Sequence, residues 1–430
     1  MFGWEFPPHI TGGLGTACFG LTKGLLKKGV EVLFVVPKAY GDENQEAVRL
    51  INASDVTVMM TDPVFREYWD QITYMEIGSN LIPYVGPEYF KEIMSQDVNT
   101  TELGETSRVF AEKFQFSGKY GHDLMEEVSR YALVGAAIAA KSDFDVIHAH
   151  DWLTYSAGVA AKKVTGKPLV VHMHATEFDR SGENYNENVY EIERKGMAEA
   201  DRVITVSNLT RNIVIERYGI VTAKVITVHN AVEPPEKSDL IDAEKHVKEK
   251  VVTFLGRITF QKGPEYFIEA ARKVLERDPN VRFVMAGTGD LMEKMIRRVA
   301  KLKISSHFHF TGFLKGENVD RMFAMSDVYV MPSVSEPFGI SPLEAMRSNV
   351  PVVISKQSGV AEVLNHVLKV DFWDIDAMAD AIYGLLHYDT LNSMFITHGT
   401  EEVNGMKWGI AARKVADIYE SVISNKPETK

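Results

Sequence analysis

The sequence of 430 residues is 45% hydrophobic and 25% charged, as in an ordinary globular protein, and its length suggests two or three domains. A formal net charge of −12 excludes a nucleic-acid binder that relies on an overall basic surface, and the single cysteine, Cys18, excludes an intramolecular disulfide framework. The first residues lack the basic region of a signal peptide, and the apolar run 131–140 is too short to span a bilayer. We therefore expect a cytoplasmic protein without membrane insertion or a nucleic-acid partner.

The chain begins with residues that resemble the end of a strand. Residues 1–5 precede a loop with the glycine pair Gly12 and Gly13, then a helix to about Lys28 and an apolar strand at residues 30–37. The glycines permit close approach of the backbone to an anion, although a plain tight turn is the simpler interpretation of this loop alone. Since a strand needs about five or six residues, we expect the natural protein to begin upstream with further apolar residues, or the sheet to be weakened at its centre. Residues 40–121 show only short β-like runs.

From residue 122 helical and strand-like segments alternate. A helical stretch at residues 122–140 is followed by four strand patterns that end near residues 150, 174, 207 and 230. The alternation predicts a parallel, doubly wound α/β sheet, in which ligands bind at the carboxyl ends of the strands. Polar residues that follow these strands are the first candidate site residues: His150, Asp151, His174, Thr176, Glu177, Ser207, Asn208, His229 and Asn230.

Four histidines, His148, His150, His172 and His174, lie within 27 residues and invite a zinc interpretation. We consider it the weaker one, because the two pairs belong to different strands and no cysteine assists them. Core positions are expected for His148 and His172.

Two Asp-x-Asp strings, at residues 143–145 and 374–376, also resemble metal ligands. The first begins a strand and the second caps a helix, which are the wrong ends for a ligand site. We therefore predict no metal ion.

Residues 233–250 are charged and contain a proline pair, which indicates a linker between domains. The second domain opens with a strand that leads to Arg257, Lys262 and Gly263, and Pro264 begins a helix. Solvated surface cations are the usual interpretation of such a pair. The strand end, the glycine and the helix start together favour a phosphate-binding role for Arg257 and Lys262.

The segment 335–344 is a strand-to-helix turn with a carboxylate near each end. Glu336 follows a buried strand pattern, and Pro342 suits the first helical position. Ser341 is predicted as the N-cap, with Glu344 completing a capping box. Capping alone would explain an isolated Ser-x-x-Glu, but the amides of Gly339 and the helix start also suit a phosphate.

The two glutamates with seven residues between them resemble the E-x7-E motif of retaining GT-B glycosyltransferases, the glycogen and starch synthase-like group that comprises glycosyl transferases group 1 and glycosyltransferase family 4. The resemblance implies that Glu336 lies beside the donor sugar and that Glu344 holds the nucleotide ribose. The Arg257 and Lys262 string is similar to the family's donor-diphosphate motif. His150 heads a His-Asp-Trp string like the one whose histidine contacts the transferred glucose.

The resemblance implies further site residues by position. The family's glycine loop usually has a lysine two places before the glycine pair, where this sequence has Ile10. His174 and Glu177 are assigned to the acceptor side. The donor site is completed by Gly12, Gly13, Asn230, Thr311, Gly312, Phe313, Phe338, Gly339 and Ile340.

The implied architecture is an α/β GT-B fold with two Rossmann-like domains that face a cleft. The first domain is predicted at residues 1–232 and the nucleotide-sugar domain at 251–404, joined by the linker 233–250. A helix in residues 405–430 is expected to return to the first domain.

The implied reaction transfers a glucosyl unit from UDP-glucose or ADP-glucose to an α-glucan with retention, without a metal ion or pyridoxal phosphate. A related transferase that makes a disaccharide or a cell-envelope glycan is the alternative. A phosphorylase would need a lysine-bound pyridoxal phosphate, for which the sequence has no recognisable motif. The presence of both glutamates and of the cation pair weighs against an inactive glucan-binding module.

Overall fold

The computed structural model describes residues 1–9, 12–43, 48–59, 111–118, 123–232 and 248–424. Ile10, the start of the helix predicted at 122–140, the β-like run near residues 72–75 and most of the predicted linker lie outside these residues. The helices are α1 Gly13–Leu26, α2 Leu124–Lys141, α3 Trp152–Thr165, α4 Glu177–Ser181, α5 Glu187–Glu199, α6 Asn208–Glu216, α7 Pro264–Arg277, α8 Met292–Lys301, α9 Glu317–Ala324, α10 Ser341–Arg347, α11 Ile375–His387, α12 Asp389–Asn404 and α13 Trp408–Ser424.

The strands form two parallel sheets and one small antiparallel pair, β3–β4. They are β1 Leu33–Val36, β2 Arg49–Asn52, β3 Thr57–Met59, β4 Ala111–Lys113, β5 Ile147–His150, β6 Leu169–Met173, β7 Arg202–Thr205, β8 Val225–Thr227, β9 Lys250–Leu255, β10 Val281–Ala286, β11 Phe308–Gly312, β12 Val328–Met331, β13 Val352–Ser355 and β14 Leu368–Val370. The apolar strand predicted at residues 30–37 is shorter than expected.

The first sheet is joined at its centre by the first residues of the chain. Phe2 forms parallel bridges to Val35 of β1 and to Ala149 of β5, so that it lies between the β1–β2 pair and the β5–β6–β7–β8 group. Its backbone amide donates to the His148 carbonyl at 2.8 Å, and its carbonyl accepts from the His150 amide at 3.0 Å. The start of the chain thus fixes β5, which ends at the candidate residue His150.

The second sheet has the order β11–β10–β9–β12–β13–β14, and all its strands are parallel. Lys250, which the sequence assigned to the linker, is the first residue of β9, because it pairs with Val281 of β10. Both sheets are covered by helices on both faces, which explains their continuous apolar strands. The predicted α/β class with two doubly wound sheets is confirmed.

The C-terminal helix α13 packs against α1 of the first sheet. A Cβ atom on Gly20 would lie 2.3 Å from Cε2 of Trp408, and one on Gly24 would lie 2.8 Å from Cβ of Ala412. Glycines at these two positions let the helix axes approach closely. At the other end of α13, Tyr419 contacts Nδ1 of His148 at 2.5 Å through its hydroxyl.

The start of α10 differs from the predicted capping box. Ser341 is the first helical residue, and the preceding Ile340 provides no side-chain cap. The Ser341 hydroxyl accepts instead from the Tyr329 hydroxyl at 2.8 Å, which the sequence pattern does not reveal. Pro342 lies in the first turn as predicted. None of the helices in the described residues is long and apolar enough to cross a membrane.

Candidate active site

Loops that follow strands of both sheets contact each other across one cleft. The Ser335 hydroxyl, which follows β12, donates to Oδ1 of Asp179 at 2.6 Å. Glu362, beyond β13, accepts from the backbone amides of Asn208 and Leu209 at the start of α6, at 2.9 and 2.7 Å. The candidate residues at the carboxyl ends of the two sheets therefore belong to one site.

An ion pair links the two best-defined candidates of the second sheet. Lys262 Nζ lies 2.5 Å from Oε2 of Glu336, which also accepts from the Ser333 hydroxyl at 3.2 Å. Lys262 follows β9 and Glu336 follows β12, and these two strands are neighbours in the sheet. Glu336 is only 6% exposed, so its charge requires this partner.

Arg257 and Lys262 do not point at a common partner in this structure. Arg257 is exposed, and its Nη2 donates to Oε1 of Gln261 at 3.4 Å. Among the described residues it forms no ion pair with a carboxylate, so its charge is available to an anion entering the cleft.

Two glycines with positive φ shape the loops around this pair. Gly263 has φ 65°, and a Cβ there would lie 2.1 Å from the Pro332 carbonyl oxygen. Gly339 has φ 98°, and a Cβ there would lie 3.0 Å from Cε of Met331. Both positions therefore require glycine, and they hold the Lys262 loop and the turn after Glu336 against the end of β12.

The turn after Glu336 presents backbone amides to the cleft. Within the described part of the chain, the amides of Gly339 and Ile340 are not used in hydrogen bonds. The turn is fixed by the Val360 amide, which donates to the Phe338 carbonyl at 2.8 Å. Gly13 lies opposite, since a Cβ built there would be 4.0 Å from Cδ1 of Ile340.

Glu344 lies in the first half of α10 and is half-buried. Burial raises the pKa of its carboxyl group, Arg347 opposes this shift, and Asp320 adds to it.

Three of the predicted donor-site residues lie at the end of β11: Thr311 and Gly312 are its last residues, and Phe313 follows. Gly312 has φ 73°, and its carbonyl accepts from the Gly287 amide at 2.8 Å. The Thr311 hydroxyl donates to that same carbonyl, also at 2.8 Å. Phe313 is 51% exposed, so its ring is accessible to a planar ligand.

The four histidines of β5 and the β6 segment lie together, three of them buried and His174 half-buried. His148 and His172 are core residues, as predicted, and the ring of His148 stacks on that of His150 with centroids 4.2 Å apart. His150 Nδ1 lies 3.1 Å from Nε2 of His174. Burial lowers the pKa of all four, to about 3 for His174, so these imidazoles are neutral at physiological pH.

One guanidinium holds three carboxylates behind this stack. Arg180 Nε donates to Glu177 at 3.0 Å, its Nη2 contacts Glu193, and its Nη1 lies 3.8 Å from Asp151. Burial raises the pKa of Glu193 to about 7, although Arg180 and a hydrogen bond from Tyr218 act in the opposite direction. The cluster places Asp151 beside His150 and fixes α4.

Asp151, one of the polar residues predicted at the strand ends, has the features of a functional residue. Its φ of 63° is unusual for a residue with a side chain, and it lies between the end of β5 and α3. Its Oδ1 is buried without a hydrogen-bond partner among the described residues. Burial raises the pKa of this carboxyl, and Arg180 opposes the shift.

Two family models match consecutive parts of the chain: Glycosyltransferase Family 4 at residues 117–235 and Glycosyl transferases group 1 at residues 237–402. An uncharacterized glycosyltransferase of Methanocaldococcus jannaschii is 30% identical over 438 residues, which cover 98% of this chain and 97% of that protein. The chain belongs to the group 1 glycosyltransferases.

More distant relatives agree with this glycosyltransferase family. A glycogen synthase of Mycobacterium tuberculosis is 24% identical over 85% of this chain and 79% of its own length. The solved structure of Anabaena Alr3699/HepE in complex with UDP-glucose has a TM-score of 0.65 at 15% identity, with 98% of each chain covered. The glycosyltransferase has the GT-B fold that the motifs imply.

The structure of the glycosyltransferase brings together most of the predicted residues. Lys262, Glu336 and the turn 338–340 are adjacent, and His150 contacts His174 on the other side of the cleft. Asn230 follows β8 and is buried.

Glu177 is less available for contact with an acceptor than predicted. Its two oxygens accept from Arg180, from the Ser181 hydroxyl at 2.7 Å and from the Asn186 amide at 3.0 Å.

Sequence reasoning assigned no role to Arg180, Glu193 and Ser335. The Glu-Phe-Asp-Arg string at residues 177–180 is the one signal that could have indicated Arg180. Glu193 lies on α5 in an ordinary helical pattern, and nothing nearby in the sequence marks it.

Proposed function

We propose that this glycosyltransferase moves a glucosyl unit from UDP-glucose or ADP-glucose to the end of an α-glucan, as a glycogen synthase does. The main support for the proposal is the Lys262–Glu336 ion pair. It brings the proposed diphosphate-binding cation next to the proposed sugar-binding carboxylate. The donor's diphosphate and sugar are expected on either side of this pair. The 24% identity to a glycogen synthase supports the choice of a glucan acceptor.

The residues of the second domain stabilise the leaving group. When the bond to the anomeric carbon breaks, negative charge builds up on the departing diphosphate. Arg257, Lys262 and the amides of Gly339 and Ile340 are the groups that meet this charge. As Lys262 turns to the diphosphate, the Glu336 carboxylate is released to accept hydrogen bonds from sugar hydroxyls.

Glu336 is not proposed as a nucleophile. It precedes the phosphate-binding turn, which places it on the side of the sugar from which the diphosphate leaves. A double displacement requires attack from the opposite side. We therefore expect the acceptor hydroxyl to enter on the face that the diphosphate leaves, with its proton passing to the departing phosphate oxygen.

The first domain holds the sugar and the acceptor in this proposal. His150 is neutral and buried at the end of β5, so it binds through hydrogen bonds rather than through charge. His174 lies next to it on the acceptor side. We propose that no metal ion takes part, because Arg257 and Lys262 supply the positive charge, and no pyridoxal phosphate, for which the sequence has no recognisable motif.

The proposal is tested by offering UDP-glucose and ADP-glucose, each with and without glycogen and with and without EDTA. We expect glycogen-dependent release of one nucleoside diphosphate and growth of the polymer, undiminished by EDTA. Activity lost with EDTA and restored by Mg²⁺ or Mn²⁺ would contradict metal independence. Donor turnover with small acceptors but not with glycogen would favour a disaccharide or cell-envelope glycan as the product. No turnover of either donor would contradict the glucosyl donor.

A further inference from the structure

Three side chains that can bind a metal ion meet at the floor of the first-domain side of the cleft. Cys18 on α1, His150 at the end of β5 and His174 just after β6 each offer one ligand atom, and these atoms all lie within 4.8 Å of one another. Cys18 and His150 are buried, and His174 is half-buried. His150 also has a second nitrogen, Nε2, that is buried without a partner among the described residues.

The separation of the two histidine nitrogens fits a shared tetrahedral cation. A Zn–N bond of about 2.0–2.1 Å at a tetrahedral angle separates two ligand nitrogens by about 3.3 Å. Nδ1 of His150 and Nε2 of His174 lie 3.1 Å apart, and their ring planes are inclined by 39°. In this structure the same two atoms lie within hydrogen-bonding distance of each other.

A second set of three histidines is less suitable. His148, His150 and His172 also have ligand atoms within 4.8 Å of one another. The rings of His148 and His150 are stacked with an interplanar angle of 19°, and those of His148 and His172 are stacked at the same angle. Because a ring nitrogen binds a metal in the plane of its ring, nearly parallel stacked rings do not converge on one ion.

The charge around Cys18 also suits a cation. A divalent ion bound by one thiolate and two neutral imidazoles keeps one positive charge. The carboxylates of Asp151 and Glu5 lie close enough to act electrostatically on the Cys18 sulfur, and both are buried. Their negative charge offsets the remaining charge of such a complex.

The two objections that the sequence raises against zinc do not hold for this set. The strands β5 and β6 that carry the histidine pairs are neighbours in register, with His150 opposite His172. The cysteine that is missing nearby in the sequence comes from α1, more than a hundred residues earlier. Only the folded chain brings it to the histidines.

We propose that Cys18, His150 and His174 form a binding site for a soft divalent cation of the Zn²⁺ class. Three protein ligands leave a fourth position for water. On binding, the Cys18 thiol releases one proton to solvent. The imidazole proton between the two histidines moves to an outer ring nitrogen, such as the unpartnered Nε2 of His150.

The consequence for activity is inhibition rather than catalysis. A cation that uses His150 and His174 removes these two residues from the sugar and acceptor contacts. This consequence rests on the proposed function, whereas binding of the cation does not. Zinc should therefore inhibit glycosyl transfer, and a chelator should restore the rate.

Binding is tested with Co²⁺ added to the metal-free full-length protein, because cobalt reports its ligands by absorption. We expect one equivalent to give the near-ultraviolet thiolate-to-cobalt charge-transfer band and the intense visible bands of a tetrahedral complex. C18S and C18A should both lose the charge-transfer band while keeping the far-ultraviolet circular dichroism of the parent protein. H174Q should weaken binding by about tenfold or more, as loss of a coordinating interaction does.

The matched control is H172Q, which changes a histidine of the same buried stack outside the proposed site. It should bind Co²⁺ like the parent protein. Visible cobalt bands that lack the thiolate charge-transfer band in the parent protein and disappear in H172Q would transfer the site to the three-histidine set and overturn the proposal. Absence of a charge-transfer band in the parent protein would also overturn it.

Zinc inhibition is measured relative to the zinc-free rate of each variant. The parent protein should lose most of its activity, and C18S should lose markedly less. Cobalt binding without zinc inhibition would contradict the placement of His150 and His174 in the reaction while leaving the cation site intact.

Discussion

On the second-domain side of the cleft, Lys262 and Glu336 form a single ion pair beside the exposed Arg257. On the first-domain side, the four clustered histidines are neutral, and Arg180 is enclosed by carboxylates. The two cations proposed to face the donor, Arg257 and Lys262, are partly exposed. Arg180 of the first domain, in contrast, cannot leave its carboxylates without leaving a buried charge unpaired.

In the proposed mechanism, this difference corresponds to two tasks. Charge appears on the leaving diphosphate during the reaction, so the groups that meet it must exchange partners, as Lys262 can. The sugar and acceptor need a fixed arrangement of hydrogen-bonding groups, which a buried, neutral stack provides. Mutation of Lys262 should therefore change the rate, and mutation of Arg180, which holds the first-domain carboxylates, should mainly change stability.

The largest effect is expected for R180M. It leaves Glu193, whose side chain is fully buried, together with Glu177 and Asp151, without a cation. Breaking a buried ion pair costs about 3–5 kcal/mol of unfolding free energy. Denaturant unfolding of R180M is compared with that of R297M, which removes the exposed pair with Glu293 and should cost at most about 1 kcal/mol. Equal losses in both variants would refute the buried cluster.

The next effect is on the rate of K262A. It removes one charge-assisted contact to the diphosphate, worth about 1.5–3 kcal/mol, which lowers kcat about ten- to a hundredfold. The control is K294A, which loses a surface pair with Glu265 and should keep the parental rate. An unchanged kcat of K262A with saturating donor would remove Lys262 from the mechanism. Its melting temperature should change less than that of R180M.

The histidine stack predicts a loss of stability in acid. Histidines titrate near pH 6.5 in the unfolded chain, and burial lowers the folded pKa of all four. The unfolded chain thus binds more protons below pH 6.5, so the free energy of unfolding falls as the pH drops.

The buried carboxyl of Glu193 has the opposite effect on stability. Its folded pKa of about 7 contributes free energy of unfolding that is fully present below about pH 4.5 and is lost as the pH rises through 7. Burial also raises the pKa of Asp151, Asp179 and Glu344 in that same opposing direction.

Because the effect of the four histidines exceeds that of these carboxyls, we expect the free energy of unfolding to fall by on the order of 2 kcal/mol from pH 6.5 to pH 5.5. Denaturant unfolding at both pH values measures it, and H172Q, with one titrating group fewer, should show a smaller slope. Constant stability over this range would contradict the neutral stack.

The smallest effect is expected for S335A. The Ser335 hydroxyl donates to Asp179 across the cleft. Loss of this hydrogen bond should weaken the contact between the domains by about 1 kcal/mol. We expect a several-fold higher KM for the donor with little change in kcat. S326A removes a hydroxyl that bonds within its own helical segment and is the matched control. A KM equal to that of the parent enzyme would show that this bond does not support donor binding.

Local sequence patterns were sufficient for the strand ends, the turn 335–344 and the Lys262 loop. Each is defined by residues close together in the chain, such as the glycine and proline that follow Lys262. The partners of these residues were not predictable. Lys262 pairs with Glu336, which lies 74 residues later in the chain. The Ser341 hydroxyl bonds to Tyr329 instead of capping its own helix. Which side chains contact each other depends on strand order and on the contact between the domains. Local sequence patterns predict neither of these.

The central claim is that a nucleotide-glucose donor is used with retention by a site whose carboxylate lies on the leaving-group side. NMR of the linkage formed from an α-linked donor tests it most directly, together with mass spectrometry of enzyme quenched during turnover. We predict an α-linked product and no covalent adduct on Glu336. A β-linked product would contradict the assignment as a retaining transferase, and a glycosyl adduct on Glu336 would contradict the mechanism.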